Sequence, residues 1–527
     1  MIDGTMQGFA LTLDKILDHA AKWHPQVEVA TACDGGIERI GYDALRTRAM
    51  KISAILAERG VTVGDRVATL AWNSQAHVES WFAIMGMGAV CHTLNPRLTA
   101  PQLADMLVQS QARILIASAD QMPLARKVLA GAPGIESLFV IDGDAPGAAH
   151  DNIEIAALAP MIERSNNMMA WGGFDENAPS GLCFTSGSTG APKGVTYTHR
   201  SNYLHTLRLL QADMLGITAA DAVLPVVPMF HANAWGLPFA VPAVGARLVL
   251  PGRHTDGASL AQLIRAEGVT LAVGVPTVWL GLVEHLEAAG ERLPSLRRII
   301  TGGAPMPPAL MHRLEEQLGI VVQTSWGMTE LSPVGTFAAP DDGARRAAVS
   351  GRPALGVDLM VADEQGMPLS RQRDQEGRLH VRGAAVIERY FGNDQPATDA
   401  DGWFDTGDLA TIDRQGNLMI TGRSKDLIKS GGEWINPAEI EAVVCALPQV
   451  SLAAVIGRSD LKWGERPILL VELRDAQDIS DQDLLGALHG RVASWWIPDA
   501  VVRLPAMPLA STGKIDKISL RASYSGT

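Results

Sequence analysis

Up to Ile300 the chain alternates short apolar, β-branched runs with longer stretches whose apolar positions recur every three or four residues. The runs are Arg66 to Leu70, Ile114 to Ala117, Leu138 to Ile141, Arg247 to Leu250 and Thr270 to Val275; Gln102 to Ser110 and Ser259 to Ala266 are examples of the helical stretches. Continuous apolar runs suit strands covered on both faces, and the helical stretches supply the cover, so the pattern predicts α/β layers on mainly parallel sheets. In such sheets ligands sit at strand ends. That rule gathers three segments around one crevice: Thr185 to Gly194 after Leu182-Cys183-Phe184, Gly302-Gly303-Ala304-Pro305 after Arg298 to Ile300, and Trp326 to Glu330 after Val321-Val322. From Gly351 to Asp413 the helical period fades into short runs broken by Gly, Pro and Asp, which predicts a small β-rich layer. Beyond the turn-prone Gly422-Arg423-Ser424-Lys425-Asp426 and Gly431-Gly432, the pattern restarts as helix (Pro437 to Ala446), strand (Leu452 to Ile456), strand (Ile468 to Leu473) and helix (Asp481 to Ser494). The expected organisation is a large N-terminal domain over 1–424, with two α/β-layered subdomains and the β-rich one, followed by a small α+β domain over 425–527.

Composition narrows the function. With 527 residues, 47% of them hydrophobic, the chain has material for several cores, roughly three or four units at about 150 residues each. A formal charge of -13 argues against a general nucleic-acid binder, so any anionic ligand must be met by local groups. Cys33, Cys91, Cys183 and Cys445 are scattered without CxxC spacing, which indicates neither a disulfide framework nor a zinc site and fits a reducing interior. The start lacks a basic segment followed by an apolar one, and no charge-free apolar run approaches about 18 residues. A cytoplasmic protein is expected; contact with a membrane surface needs no spanning segment and stays open.

The chemistry is carried by a few segments. Thr185-Ser186-Gly187-Ser188-Thr189-Gly190-Ala191-Pro192-Lys193 is suited to gripping a polyphosphate. Small residues let the backbone approach phosphate oxygens, hydroxyls donate, and Lys193 adds a compact charge. It is not a Walker loop, because proline precedes Lys193 and glycine follows it. In Gln323-Thr324-Ser325-Trp326-Gly327-Met328-Thr329-Glu330, Trp326 offers a face for a base, Thr329 a phosphate donor and Glu330 a hard oxygen for Mg²⁺. Asp408, after Thr406-Gly407, could accept both ribose hydroxyls with Arg423 nearby, although an acid after Thr-Gly is also an ordinary turn residue. Lys514, in Ser511-Thr512-Gly513-Lys514, reads as a movable cation or as a solvated tail lysine. Pro228-Met229-Phe230-His231-Ala232-Asn233-Ala234-Trp235-Gly236 looks like the entrance of an acyl pocket, with His231 able to orient a carboxylate or thiol or simply to sit in a core.

Taken in order, the segments at Thr185, His231, Gly302, Trp326, Asp408, Arg423 and Lys514 resemble the adenylate-forming acyl-CoA synthetase superfamily across essentially the whole chain. The wording from Pro228 to Gly236, followed by Val273-Gly274-Val275-Pro276-Thr277-Val278-Trp279, resembles the medium- and long-chain fatty acyl-CoA synthetase branch. The resemblance implies that a carboxylate attacks the α-phosphate of Mg-ATP to give acyl-AMP and pyrophosphate, and that coenzyme A then displaces AMP. It implies a phosphate loop from Thr185 through Ser186, Gly187, Ser188, Thr189 and Gly190 to Lys193. Adenine-site segments would be Gly302, Gly303, Ala304 and Pro305 together with Gln323, Trp326 and Gly327. Thr329 and Glu330 would supply the hydroxyl and the magnesium carboxylate, with Thr185 as a second metal ligand. Asp408 would hold the ribose, Arg423 a second nucleotide contact and Lys425 the hinge. Lys514 would serve adenylation but not thioester formation. The small domain would be mobile, delivering Lys514 in one orientation and, in the other, bringing Ser430-Gly431-Gly432-Glu433 to the pantetheine tunnel. His231, Trp235, Val275, Gly302, Met328 and Val334 are the candidates for the acid. An apolar carboxylic acid of medium or long chain is expected, with an aryl or arylalkanoic acid, or an acceptor other than CoA, as alternatives; the branch also allows a homodimer. The phosphate loop departs from many relatives in having Ser188 where they carry threonine, which keeps the hydroxyl.

Overall fold

A computed structural model describes residues 3–144, 153–185, 192–340, 343, 345–430, 433–474, 477–510 and 513–525. Four sheets form among them. The first runs, edge to edge, through Glu154–Ala157, Ser137–Ile141, Ile114–Ser118, Arg66–Leu70, Val90–Thr93, Pro179–Thr185 and Lys193–Thr198. All its pairings are parallel except the last, a hairpin. The second has nine strands, with Ala222–Pro225, Leu271–Gly274, Arg298–Thr301 and Val321–Gly327 side by side and parallel near its middle. The alternation in the sequence is thus realised as two doubly covered α/β sheets, as expected.

Local signals set the helix ends. Thr99 and Gln102 form a reciprocal capping box on Ala100–Ser110, with Pro101 in its first turn. Asp256 accepts the Ser259 amide at the start of Gly257–Glu267, and Gly268 ends that helix at φ 59°. One apolar core lies between the two large sheets, uniting Val67, Ile116 and Phe139 of the first with Val223, Leu248 and Ile300 of the second.

The β-rich layer is a four-stranded antiparallel sheet, Val357–Ala362, Gly377–Gly383, Phe404–Ile412 and Leu418–Arg423. The last sheet begins at Ile428–Ser430, after a single 3₁₀ turn at Ser424–Asp426. It is built around the long hairpin Val450–Asp460 and Gly464–Leu473, and its two cores hold only residues from Ile428 onward. The helix expected over Asp481 to Ser494 is cut short. It spans Asp481–Gly486, capped by Ser480, because Gly486 weakens it and Gly490 takes φ 71°.

Candidate functional site

The segment expected to grip phosphate is flanked by the two strands of a hairpin. Thr185 is paired with Lys193, so the loop between them leaves and returns at one point on the sheet. Ser186, Gly187, Ser188, Thr189 and Gly190 lie outside the described residues. Lys193 is exposed, and its ammonium stands 4.8 Å from the centre of the Tyr390 ring. The Tyr390 hydroxyl donates to Glu330 Oε1 at 2.8 Å, so one aromatic side chain links the loop lysine to the expected magnesium carboxylate. The neighbouring backbone repeats the clamp: the Phe391 amide donates to the Gly194 carbonyl at 2.8 Å and the Ile387 amide to the Glu330 carbonyl at 2.9 Å. From below, Tyr197 Oη donates to the Thr329 carbonyl at 2.9 Å. Neither tyrosine stood out in the sequence, since neither lies in one of the segments that suggest nucleotide chemistry.

On the opposite side Asp408 and Arg423 face each other in register on adjacent strands. Asp408 is 1% exposed. Its Oδ2 accepts the Trp326 indole N–H at 2.8 Å. Its Oδ1 lies 2.5 Å from Arg423 Nε as an ion pair, yet has no donor aligned for a hydrogen bond. Burial pushes this carboxyl upward, opposed by Arg423, Trp326, Lys514 and Lys425. Two expectations change here. Trp326 is packed rather than open: its N–H is spent on Asp408, and its ring covers Gly335, where a Cβ would meet Cζ3 at 2.6 Å. Gln323 is fully buried and donates to the Met214 and Ala338 carbonyls at 3.1 and 2.9 Å, so its side chain supports the strand rather than facing a nucleotide.

Lys514 comes to this crevice from the last sheet's side. Its Cε lies 3.3 Å from where a Cβ on Gly303 would stand, and Gly303 itself takes φ 78°. The turn is held by the Thr277 hydroxyl, which donates to the Gly513 carbonyl at 3.4 Å. Farther out, Arg474 approaches Glu284 at 3.9 Å. Burial, with Arg423 and Lys425 adding to it, lowers the Lys514 ammonium to about 8 against the pull of Asp408 and Glu330. Gly303 and Pro305 are exposed at the strand end, Ala304 is partly covered and Gly302 is buried. Lys425 lies inside the 3₁₀ turn between the third and fourth sheets. Gly431 and Gly432 are outside the described residues.

The segment expected to border the acid has an unusual backbone. Ala232, Asn233, Ala234 and Trp235 take φ of 45°, 55°, 46° and 54°, and Gly236 follows at 79°. Each non-glycine residue in such a left-handed turn costs about 1–2 kcal/mol, so the surroundings must hold it there. The turn aims the Trp235 ring at Gly302, whose Cβ position is 3.1 Å from Cη2. Burial, then the charge of Lys514, lowers His231 to about 4, so it is neutral at physiological pH. Trp235 and Val334 share the inter-sheet core, whereas Met328 packs into a separate core with Tyr197 and Leu331. Val275 instead faces Gly303 and Gly513, at 3.7 and 3.2 Å from their Cβ positions. The candidates for the acid therefore divide by packing: Trp235 lies against Gly302 and shares a core with Val334, Val275 borders the Lys514 turn, and Met328 packs against a different core.

The profile of the AMP-binding enzyme family matches residues 17–391, and that of the AMP-binding enzyme C-terminal domain matches residues 439–514. The chain belongs to the AMP-binding enzyme family. It is 40% identical to a 3-methylmercaptopropionyl-CoA ligase of Ruegeria lacuscaerulensis, over 99% of this chain and 98% of that one. Identity to a medium-chain-fatty-acid–CoA ligase of Ectopseudomonas oleovorans is 38%, over 99% and 97%. The fold is shared with the anthranilate CoA ligase AuaEII, solved with anthranoyl-AMP, at a TM-score of 0.88 and 24% identity over 98% of each chain. The protein is an ATP-dependent, AMP-forming acid:CoA ligase that uses ATP, Mg²⁺ and coenzyme A. Among the described residues no three His, Cys, Asp or Glu side chains converge on one point. Mg²⁺ takes few protein ligands and keeps waters and substrate phosphates; the hard oxygens of Glu330 and the Thr185 hydroxyl would hold it, and it would neutralise phosphate charge. No helix among the described residues is long and apolar enough to cross a membrane.

Proposed function

We propose that the acid is an uncharged, apolar chain of short to medium length, seated against Trp235, Gly302 and Val334. The observation behind this reading is the Trp235 ring against Gly302, 3.1 Å from its Cβ position, which we read as a wall that limits the length of the acid. Two relatives are named in keeping with it, one for a thioether propionate and another for medium-chain fatty acids, whereas a long-chain-fatty-acid–CoA ligase of Thermus thermophilus is 37% identical.

In this reading the 185–193 loop and Lys193 hold the β- and γ-phosphates. Asp408 takes the ribose hydroxyls through its Oδ1, with Arg423 beside it, and Gly302 to Pro305 border the base. Neutral His231 donates a hydrogen bond to the carboxylate without adding a charge that would tie it to the ground state. Lys514 stands where carboxylate and α-phosphate meet and offsets their charge as pyrophosphate leaves. We divide the chain at 424/425, with Lys425 as the hinge that withdraws Lys514 and frees one face of the acyl carbonyl for the thiol. The four free cysteines suit a reducing compartment, and we place the enzyme in the cytoplasm.

The test is CoA-dependent AMP release with Mg-ATP across propionate, 3-(methylthio)propionate, hexanoate, octanoate, palmitate, benzoate and phenylpropionate. A maximum among the short and medium apolar acids is expected. A maximum at palmitate, or at benzoate, would overturn the assignment of Trp235 as the boundary of the pocket.

A further inference from the structure

Behind the acyl side stands the helix His199–Leu209, and two of its side chains reach the left-handed turn. Asn202 and His205 lie one helical turn apart, each 1% exposed. Asn233, inside the turn, donates from Nδ2 to Asn202 Oδ1 at 3.4 Å. Asn202 Nδ2 donates to Ser180 Oγ at 3.1 Å, and that hydroxyl donates to the Tyr197 carbonyl at 3.3 Å. Tyr197 in turn holds Thr329. The strained turn is therefore tied through a chain of buried amides to the hairpin that carries the phosphate loop.

His205 does a second job. Gly236 ends the turn directly on the imidazole, where a Cβ would come within 2.7 Å of Nδ1. The other ring nitrogen, Nε2, accepts the Val334 amide at 3.2 Å, which places the proton of the neutral ring on Nδ1. One rigid ring thus sets the spacing between the turn that carries Trp235 and the strand that carries Val334.

We infer that Asn202 and His205 are positioning residues that fix the shape of the acyl pocket, and so select among apolar acids, without touching the acid. This rests on the assignment of Trp235 and Val334 to the acid.

Three variants test it, each assayed for acid-chain profile and for the KM of acid and of ATP separately. His205→Leu fills the same space without an acceptor, His205→Gln can present Oε1 where Nε2 was, and Asn233→Gly takes the left-handed turn freely but drops the tether. His205→Leu is expected to raise the KM for the preferred acid about tenfold and to flatten the profile, with the KM for ATP within about twofold of wild type. His205→Gln should keep most of the selectivity, and Asn233→Gly should move the profile in the same direction as His205→Leu. Parallel rises in both KM values, or an unchanged profile in folded variants, would overturn the inference; should His205→Leu fail to fold, Asn233→Gly decides alone. A wild-type enzyme without apolar preference would bring down the pocket assignment instead, while the split between acid and ATP KM values in the variants would still report on positioning.

Discussion

The indole N–H of Trp326 donates to Asp408 Oδ2 at 2.8 Å, while the other carboxylate oxygen, Oδ1, pairs with Arg423 Nε at 2.5 Å. A carboxylate that is 1% exposed stays ionised only through its partners. Trp326→Phe keeps the packing over Gly335 and removes one of the groups holding the pKa of Asp408 down. In the proposed role the ionised form of Asp408 binds the ribose, so the variant should lose ATP affinity by about fivefold to twentyfold, as expected for a hydrogen bond to a buried charge. The loss should be greater at pH 6 than at pH 8, since the acid limb of kcat/KM for ATP moves to higher pH. Equal loss at both values would separate Trp326 from the ionisation of Asp408.

In its proposed role Lys514 acts as a cation, and its ammonium is lowered to about 8. Adenylation by the free enzyme should therefore decline as pH rises through about 8, in kcat/KM for ATP measured by pyrophosphate exchange. Lys514→Arg should flatten that decline, because guanidinium stays charged. Lys514→Ala should lower adenylation by about 10²- to 10³-fold, the scale of one lost electrostatic contact at developing charge, while supplied acyl-AMP is still converted to acyl-CoA. Equal loss of both half-reactions would sink the assignment.

How far the sequence carried depends on how local each determinant is. Strands such as Ile114–Ser118 and helices such as Gly257–Glu267 announce themselves through period and caps, and the nucleotide motifs are contiguous words that a reader can recognise. The sequence offers Arg423 as a second contact to the sugar or a phosphate; that it faces Asp408 in register on the adjacent strand emerges only in the fold. What stayed hidden arises between distant segments. Tyr390 meets Glu330 and Lys193 only after the chain has crossed from one sheet to another. The left-handed turn from Ala232 to Gly236 contains four residues whose own preference is for negative φ, so nothing in their identities foretells it. The division of Met328 from Val334 depends on which core each side chain enters, a fact of tertiary packing.

Tyr390 offers a test of the hidden contact. Tyr390→Phe keeps a ring beneath Lys193 and deletes only the donor to Glu330 Oε1 at 2.8 Å. The carboxylate then loses its fixed orientation, so the Mg²⁺ concentration for half-maximal adenylation should rise by about threefold to tenfold with the KM for the acid unchanged. Tyr390→Ala removes the ring as well and should also raise the KM for ATP. Identical behaviour of the two variants would mean that the hydroxyl contributes nothing and the ring alone matters.

Only the turn Ser424–Asp426 and Leu427 lie between the strand ending at Arg423 and the one beginning at Ile428, so any reorientation of the last sheet must be absorbed within a few dihedrals. Proline at 425 would fix φ near −65° and remove an amide proton, restricting that adjustment while leaving every side chain of the crevice in place except the Lys425 ammonium. Lys425→Pro should therefore slow thioester formation from supplied acyl-AMP by more than about tenfold, with pyrophosphate exchange reduced far less. Lys425→Ala controls for the charge, which contributes to the lowered Lys514 ammonium. If Lys425→Pro and Lys425→Ala slow the two half-reactions alike, the rotation takes place elsewhere in the chain.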